Sequence, residues 1–411
     1  MPMRQERVIS IVWRRLWCAL FVLATALVLT GCRGGGSGQA GMDGSGFGPN
    51  GQAQPGGLMG RGGPKVKVAL LLPTTGKGNT AQVAQALKQA GELALFDFDN
   101  PAVTLVAKDT KGTPEGARLA AEQAVNDGAE LIVGPLFSKS VAAAAPVARQ
   151  AGIPIIAFST DQQVAGNGVY LLSFLAGYDV GRIVSYAVSQ GKRSFAALIP
   201  NSPYGNIVAQ AFTSAVSRSG GQIAAVERYP LEANAMLEPA KKIAALAKAE
   251  PPQIDSIFIP AGPETLPTIS ALMPYFEIDT KTIKLLGTGR WDFAGIGREK
   301  PLIGGWLPGP DPKGWRSFTQ RYVKTYGKTP PRLASLAYDA VSLAVSLSSN
   351  PPGSRYTPGQ LTRASGFAGV DGLFRLRSDG TSERGLAILE VQRFGTRVID
   401  PAPSVFGNAQ F

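Results

Sequence analysis

Histidine is absent from this 411-residue chain, and cysteine occurs only at Cys18 and Cys32. The first absence removes the usual general base and the commonest metal ligand. The second leaves no disulfide framework, zinc cluster or cysteine–histidine dyad beyond the N-terminus. Charge is sparse too: 17% of residues, 41 basic against 29 acidic. The basic residues are scattered, in runs no longer than a pair, and no aromatic–basic motif for nucleic acid is present. The excess charge therefore reads as a solvated surface, or as a face for anionic partners such as glycan, lipid headgroups or an acidic protein.

Catalysis without histidine and cysteine would fall to carboxylates or Ser–Lys pairs, and the candidates are poor. Ser189-Gln190-Gly191-Lys192 fits S-x-x-K, but Gly191 reads as a helix stop and no K-T-G or S-D-N accompanies it. Asp97 and Asp99 alternate where a helix ends, a spacing that gives them no shared site. "TTGKGNT" (74–80) contains a Gly-Lys pair, but Leu71 stands where a phosphate loop needs its first glycine. The expectation is a protein that is not an enzyme and uses no cofactor or metal.

What the chain does have begins at its N-terminus. Arg4, Arg7, Arg14 and Arg15 precede the apolar stretch "LWCALFVLATALVL" (16–29), which is short for a membrane span. Leu29-Thr30-Gly31-Cys32 then reads as a lipobox. Residues 1–31 are expected to be a signal peptide and Cys32 the lipidated membrane anchor; the alternative is an ordinary signal peptide or an uncleaved anchor with a chance cysteine. Removing 1–31 lowers the formal net charge from +12 to +9. Arg33 follows Cys32, and by similarity to enteric lipoproteins, which keep an Asp there for inner-membrane retention, it points to the outer membrane. Residues 32–64 read as a tether: 14 of the 32 positions from 33 to 64 are glycine, with almost nothing apolar to bury. A coil of that length spans roughly 30 Å.

From Lys65 strand and helix patterns alternate. "KVKVALLLP" (65–73) predicts a strand, 80–97 a helix, "AVTLVAKD" (102–109) a strand, and 114–128 a helix with Pro114 in its first turn and Gly128 after its end. "ELIVGPLFSKSVAAAAPVARQAGIPIIAFSTD" (130–161) adds a strand, a helix over 139–151 and another strand. A second series follows: helices over 178–190, 204–219, 235–249 and near 263–275 alternate with strands at 194–200, 222–229, 256–260 and 282–288. Helices around 313–326 and 333–348 and a hairpin over 372–394, turning at Asp379-Gly380, complete the pattern. Continuous apolar strands separated by helices indicate doubly wound parallel sheets. Two such series predict two α/β lobes with a cleft between them.

Ligands of open parallel sheets sit beyond the C-terminal strand ends, beside helix N-termini. Ser138 and Ser140 lie at such a helix start, and Ser159 and Thr160 at the neighbouring strand end, a set that suits a carboxylate or other anion. The competing reading makes the first pair N-caps and the second an ordinary turn. In "PNSPYGNIVAQAF" (200–212), Tyr204 opens a helix after a strand and either reaches the cleft or packs on its own helix.

The segments "KVALLLPTTGKGNTAQVAQALKQAGELAL", "DGAELIVGPLFSKSV", "AGIPIIAFSTD" and "ALIPNSPYGNIVAQAF" resemble type I periplasmic binding proteins of the branched-chain amino-acid group. The resemblance runs over about 65–394 and implies two similar α/β lobes, three crossings and a cleft that closes by hinge motion. It divides the domain into lobe 1, about 65–175 with a return near 310–365, and lobe 2, about 176–305 with 366–394, and leaves 395–411 as a tail. "ALLLPTTG" and "IVGPL" look most like the penicillin-binding-protein activators of the LpoA type, outer-membrane lipoproteins that stimulate a peptidoglycan synthase, but the helical-repeat domain of the enteric activators has no counterpart before Lys65. That implies a non-catalytic, lipid-anchored periplasmic regulator in contact with a penicillin-binding protein. The alternative is a substrate-binding lipoprotein that delivers amino acids or related small carboxylates to an ABC permease.

By the same resemblance, the carboxylate contacts of amino-acid receptors fall on the Ser138 loop and the Ser159-Thr160 turn, and their hinge tyrosine on Tyr204. The aromatic expected after "SIFIP" is replaced by Pro260-Ala261. The acidic partner of the ligand's ammonium falls in Thr288-Gly289-Arg290. Arg290 would repel an ammonium there, and Asp292 is a possible substitute. The candidate cleft residues are thus Ser138, Ser140, Ser159, Thr160, Tyr204 and Arg290.

Overall fold

Short apolar runs bounded by turn residues build the first sheet. In the computed structural model, which describes residues 65–98 and 102–406, the strands β1 (Val66–Leu72), β2 (Val103–Asp109), β3 (Leu131–Val133), β4 (Ile155–Ala157) and β5 (Val169–Leu171) are all parallel, in the order β2-β1-β3-β4-β5. The expected signal peptide, Cys32 and the glycine-rich tether lie outside the described residues. β3 and β4 are fully buried, because helices cover both faces of the sheet. α2 (Pro114–Asn126) and α3 (Ser138–Gln150) pack their alanines on one face, and α1 (Thr80–Phe98) lies on the other. Thr113 caps α2 by accepting the Gly116 N–H at 3.0 Å, with Pro114 in the first turn.

The chain then leaves for a second sheet. α4 (Ala176–Ser189), β6 (Ser194–Pro200), α5 (Pro203–Arg218), β7 (Gln222–Tyr229), α6 (Leu237–Ala247), β8 (Ser256–Phe258), α7 (Leu266–Tyr275), β9 (Lys284–Leu286) and β10 (Trp306–Gly309) follow in order. β7, β6, β8, β9 and β10 lie side by side and parallel. β7, an edge strand, is buried less than the others and alternates between half-buried and exposed positions. Ser202 caps α5 through the Gly205 N–H at 3.1 Å. The serine of S-x-x-K, Ser189, ends α4 and donates to its own Tyr186 carbonyl at 2.7 Å, while Gly191, at φ 86°, stops the helix.

α8 (Pro312–Tyr326) and α9 (Ala334–Leu347) return to the first sheet. α9 is buried along nearly its whole length, and α1 approaches it closely at Gly91, where a Cβ would stand 3.2 Å from Val341. Asp97 ties these helices together, accepting from Arg321 at 2.7 Å and from the Tyr338 hydroxyl at 2.8 Å. A short α10 (Pro358–Leu361) leads to the small antiparallel sheet of β11 (Phe367–Gly369), β12 (Gly372–Leu376) and β13 (Ser382–Arg384).

Here the structure departs from the sequence expectation. The hairpin around Asp379-Gly380 joins β12 to β13 only, ending at residue 384 and not 394. β14 (Ala387–Gln392) crosses to the second sheet and pairs antiparallel with β10, because four of its six residues are fully buried and need an interior place in a sheet. The small sheet itself belongs with the first lobe: Phe367, Val370, Phe374 and Leu376 share one core with Tyr338 and Val341. The Gly380 carbonyl also accepts the Leu171 N–H of β5 at 2.7 Å. The last crossing therefore falls between 384 and 387, not near 366. Residues 395–411, expected as a tail, begin with β15 (Gly395–Asp400), which extends the second sheet beside β14.

Candidate functional site

The three passages between the sheets, after β5, after β10 and after β13, enclose a cavity of about 600 Å³. The first contributes Ser173, Phe174, Tyr178 and Asp179; the end of β10 and the passage after it, Pro308, Gly309 and Pro310; β13 and the passage after it, Ser382, Arg384 and Leu386. The second lobe adds Tyr204, Arg290, Asp292 and Phe293, and the first lobe adds Trp315 and Arg332. Rings and aliphatic groups cover most of the wall, and charged groups of both signs are set into it.

Of the six residues singled out from sequence, Tyr204 and Arg290 line this cavity, and Ser138, Ser140, Ser159 and Thr160 are not in its lining. Ser138 is half-buried in the first turn of α3 and Thr160 is exposed. Ser140 is buried, with its hydroxyl 3.4 Å from the Thr113 carbonyl of the neighbouring α2 cap. Ser159 accepts the Asp161 N–H at 3.1 Å and so closes its own turn. The two buried hydroxyls are thus engaged in packing and turn geometry.

Tyr204 takes its position from the start of α5. Its hydroxyl lies 3.1 Å from Oγ1 of the buried Thr288, and burial pushes its pKa up to about 12. Arg290 follows β9 in a short helical turn, stacks its guanidinium 4.8 Å above the Tyr204 ring and pairs with Glu264. The positive charge read from sequence at this place is therefore compensated by a residue 26 positions away. Beneath the turn, the Trp291 indole donates to the Ile259 carbonyl at 2.9 Å. An added Cβ at Gly287 would lie 2.2 Å from that ring.

The acidic groups were only partly legible. Asp292, noted as a substitute, lines the cavity, and partial desolvation there raises its pKa. Asp179, in the first turn of α4, was not singled out. It accepts the Gly289 N–H at 3.1 Å, and desolvation pushes its carboxyl up to about 7.

Two further arginines complete the wall. Arg332 pairs with the buried Asp371 at 2.5 Å and stacks 4.4 Å from the Trp315 ring. Arg384, with its side chain 5% exposed, sits 5.1 Å from the Phe174 ring and 5.5 Å from Phe374. Its Nη1 reaches Asp339 Oδ2 at 3.4 Å. Asp339 also accepts the Val370 N–H at 2.7 Å, and burial pushes its carboxyl up to about 7. A signal for Arg384 existed in the sequence: in "TSERG" Ser382 and Arg384 alternate on a strand and so share a face. What that face meets is decided 210 residues upstream, at Phe174. Among the described residues no group of three or more Asp, Glu, His or Cys could hold a metal ion.

Residues 65–396 match the periplasmic binding protein family. An uncharacterized protein of Rickettsia prowazekii is 23% identical over 233 residues, 56% of this chain and 61% of that protein; the chain thus spans about three fifths of the length of that curated relative. Among solved structures, a putative branched-chain amino acid ABC transporter from Rhodospirillum rubrum superposes with a TM-score of 0.71 at 18% identity, over 82% of this chain and all of that one. A solute-binding protein of an R. palustris ABC transporter, in complex with benzoate, gives 0.55 at 18% identity over 84% and 98%. With the match running from the first described strand into the last, this chain belongs to the periplasmic binding protein family.

Proposed function

We propose that this protein is the solute-binding component of an uptake system. It is a non-catalytic periplasmic receptor, anchored through lipidated Cys32, that presents an amino acid or related small carboxylate to an ABC permease. The observation that carries this reading is the cavity at the crossings: about 600 Å³ of space, walled by rings and set with arginines and carboxylates, as a small-molecule site requires. The structural relatives are named as transporter components, which supports the same reading. The synthase-activator reading has less behind it, since a regulator acting by surface contact needs no furnished interior.

The test is a thermal-shift screen of the purified full chain against amino acids, 2-oxo acids, aromatic acids, sugars and amines. Binding to the native state alone at 100 times Kd adds about 2.7 kcal/mol, so a true ligand is expected to raise Tm by about 5 °C or more. A chain that responds to no solute, yet co-purifies with a peptidoglycan synthase and speeds its glycan polymerisation, would overturn the receptor reading in favour of the regulator.

A further inference from the structure

Two residues in the cavity wall carry buried polar atoms that the fold does not satisfy. Arg384 Nε and Nη2, and Ser382 Oγ, have no hydrogen-bond partner among the described residues. Both residues line the cavity, two positions apart on β13 and therefore on one face of it. The fold holds the guanidinium firmly all the same. Its strand pairs Arg384 with Phe374 across the hairpin, Phe174 covers it from the first crossing, and Nη1 faces Asp339.

The position of the idle atoms is informative. Nε and Nη2 form one edge of the guanidinium, and their two parallel N–H bonds match the two oxygens of a carboxylate. A buried donor without a partner is costly, and a buried charge more so. Arg290 and Arg332 are in a different state: each is more exposed, with side chains 41% and 33% accessible, and each is already paired with a carboxylate. Asp339 does not offset Arg384 to the same degree. Its single contact with the guanidinium is long, and its carboxyl is fully buried and held by the Val370 N–H.

We infer that the Nε/Nη2 edge of Arg384, with the Ser382 hydroxyl beside it, is the carboxylate anchor of the cavity. Its ligand is a small monocarboxylic acid whose apolar body lies along Phe174, Phe293 and Trp315. A carboxamide of the same shape would set its NH2 against donors and be rejected. This assignment rests on the receptor reading above and specifies how that receptor would recognise its solute.

The experiment is calorimetric titration of the full chain with benzoate, 4-methyl-2-oxopentanoate and leucine, and with benzamide and leucinamide as isosteres. Wild type is expected to bind at least one acid about thirtyfold or more tightly than its amide. R384Q should lose about thirtyfold or more of that affinity. R384K, which keeps the charge but not the planar edge, should lose most of the same factor. S382A should lose severalfold. If either Arg384 variant fails to fold, S382A and the acid–amide comparison on wild type decide alone. Equal affinity for acid and amide, or S382A and R384K that bind like wild type, would overturn the anchor and leave the receptor reading standing. A thermal response only to neutral or cationic solutes would overturn the anchor and the carboxylate part of the receptor reading, leaving solute binding alone. A wild type that responds to no solute removes the receptor reading, and the anchor with it.

Discussion

Gly134 shows how much one position in "IVGPL" carries. Its φ of 89° lies in the left-handed region, and an added Cβ would stand 2.2 Å from the Leu71 carbonyl oxygen. β1 passes so close because it pairs with β3 immediately before this residue, through Leu70 and Val133. Gly134→Ala must move one of the two strands or strain its own backbone. The expected cost is about 2–3 kcal/mol, read as a lower urea midpoint with an unchanged m-value. At this scale the sequence was informative about backbone and poor about charge. Pro114 in the first turn of α2 and Gly191 past the end of α4 follow from local chemistry. That Arg290 is compensated by Glu264, or that Ser140 turns toward α2, depends on residues far away in the chain, which no local pattern reports.

Among elements, the helices and the inner strands follow from periodicity, since burial on one stripe or on both faces leaves its mark in any window of ten residues. The segment 372–394 shows where that reasoning stops. Its alternation and its Asp-Gly turn specify a hairpin, and the turn forms, with the Thr381 N–H donating to Asp379 at 2.8 Å. Alternation says nothing about which sheet receives the next strand. β12 packs into the first lobe through Phe374, which is fully buried and stacks on Phe367 at 5.7 Å between centroids. Phe374→Ala is therefore expected to cost about 3–5 kcal/mol in a denaturant titration. Since the same ring supports Arg384, the variant should also bind a carboxylate ligand more weakly in calorimetry.

For the whole molecule, the crossings collect carboxylates that burial disfavours as anions. Asp179 and Asp339 are both pushed up to about 7, and Asp292 is raised as well. Around Asp339 stand Arg384, which opposes the shift, and Asp371, which adds to it. A carboxyl with a raised native pKa keeps its proton in the fold after the unfolded chain has lost it. Its contribution is thus complete below the ordinary carboxylate range near 4 and is lost as pH rises to about 7. Asp109 and Asp379, where burial is outweighed by several hydrogen bonds, and Asp127, held low by Lys108, act in the opposite sense at more acidic pH. Tm should therefore be higher at pH 5 than at pH 8 by calorimetry, and Asp339→Asn should shrink that difference. An unchanged difference would place the slope on other groups.

The sequence by itself determined the layers: apolar runs of strand length, separated by amphipathic or alanine-rich helices, can bury their surface only as covered parallel sheets. Only the tertiary structure decided where the chain changes lobes and which side chains face the space between them. That space is assembled from residues near 173–179, 289–294, 308–310 and 382–386, which are distant in sequence. Its chemistry follows from how burial strips solvent from Arg384, Ser382 and Asp179, and desolvation is a property of the packed whole.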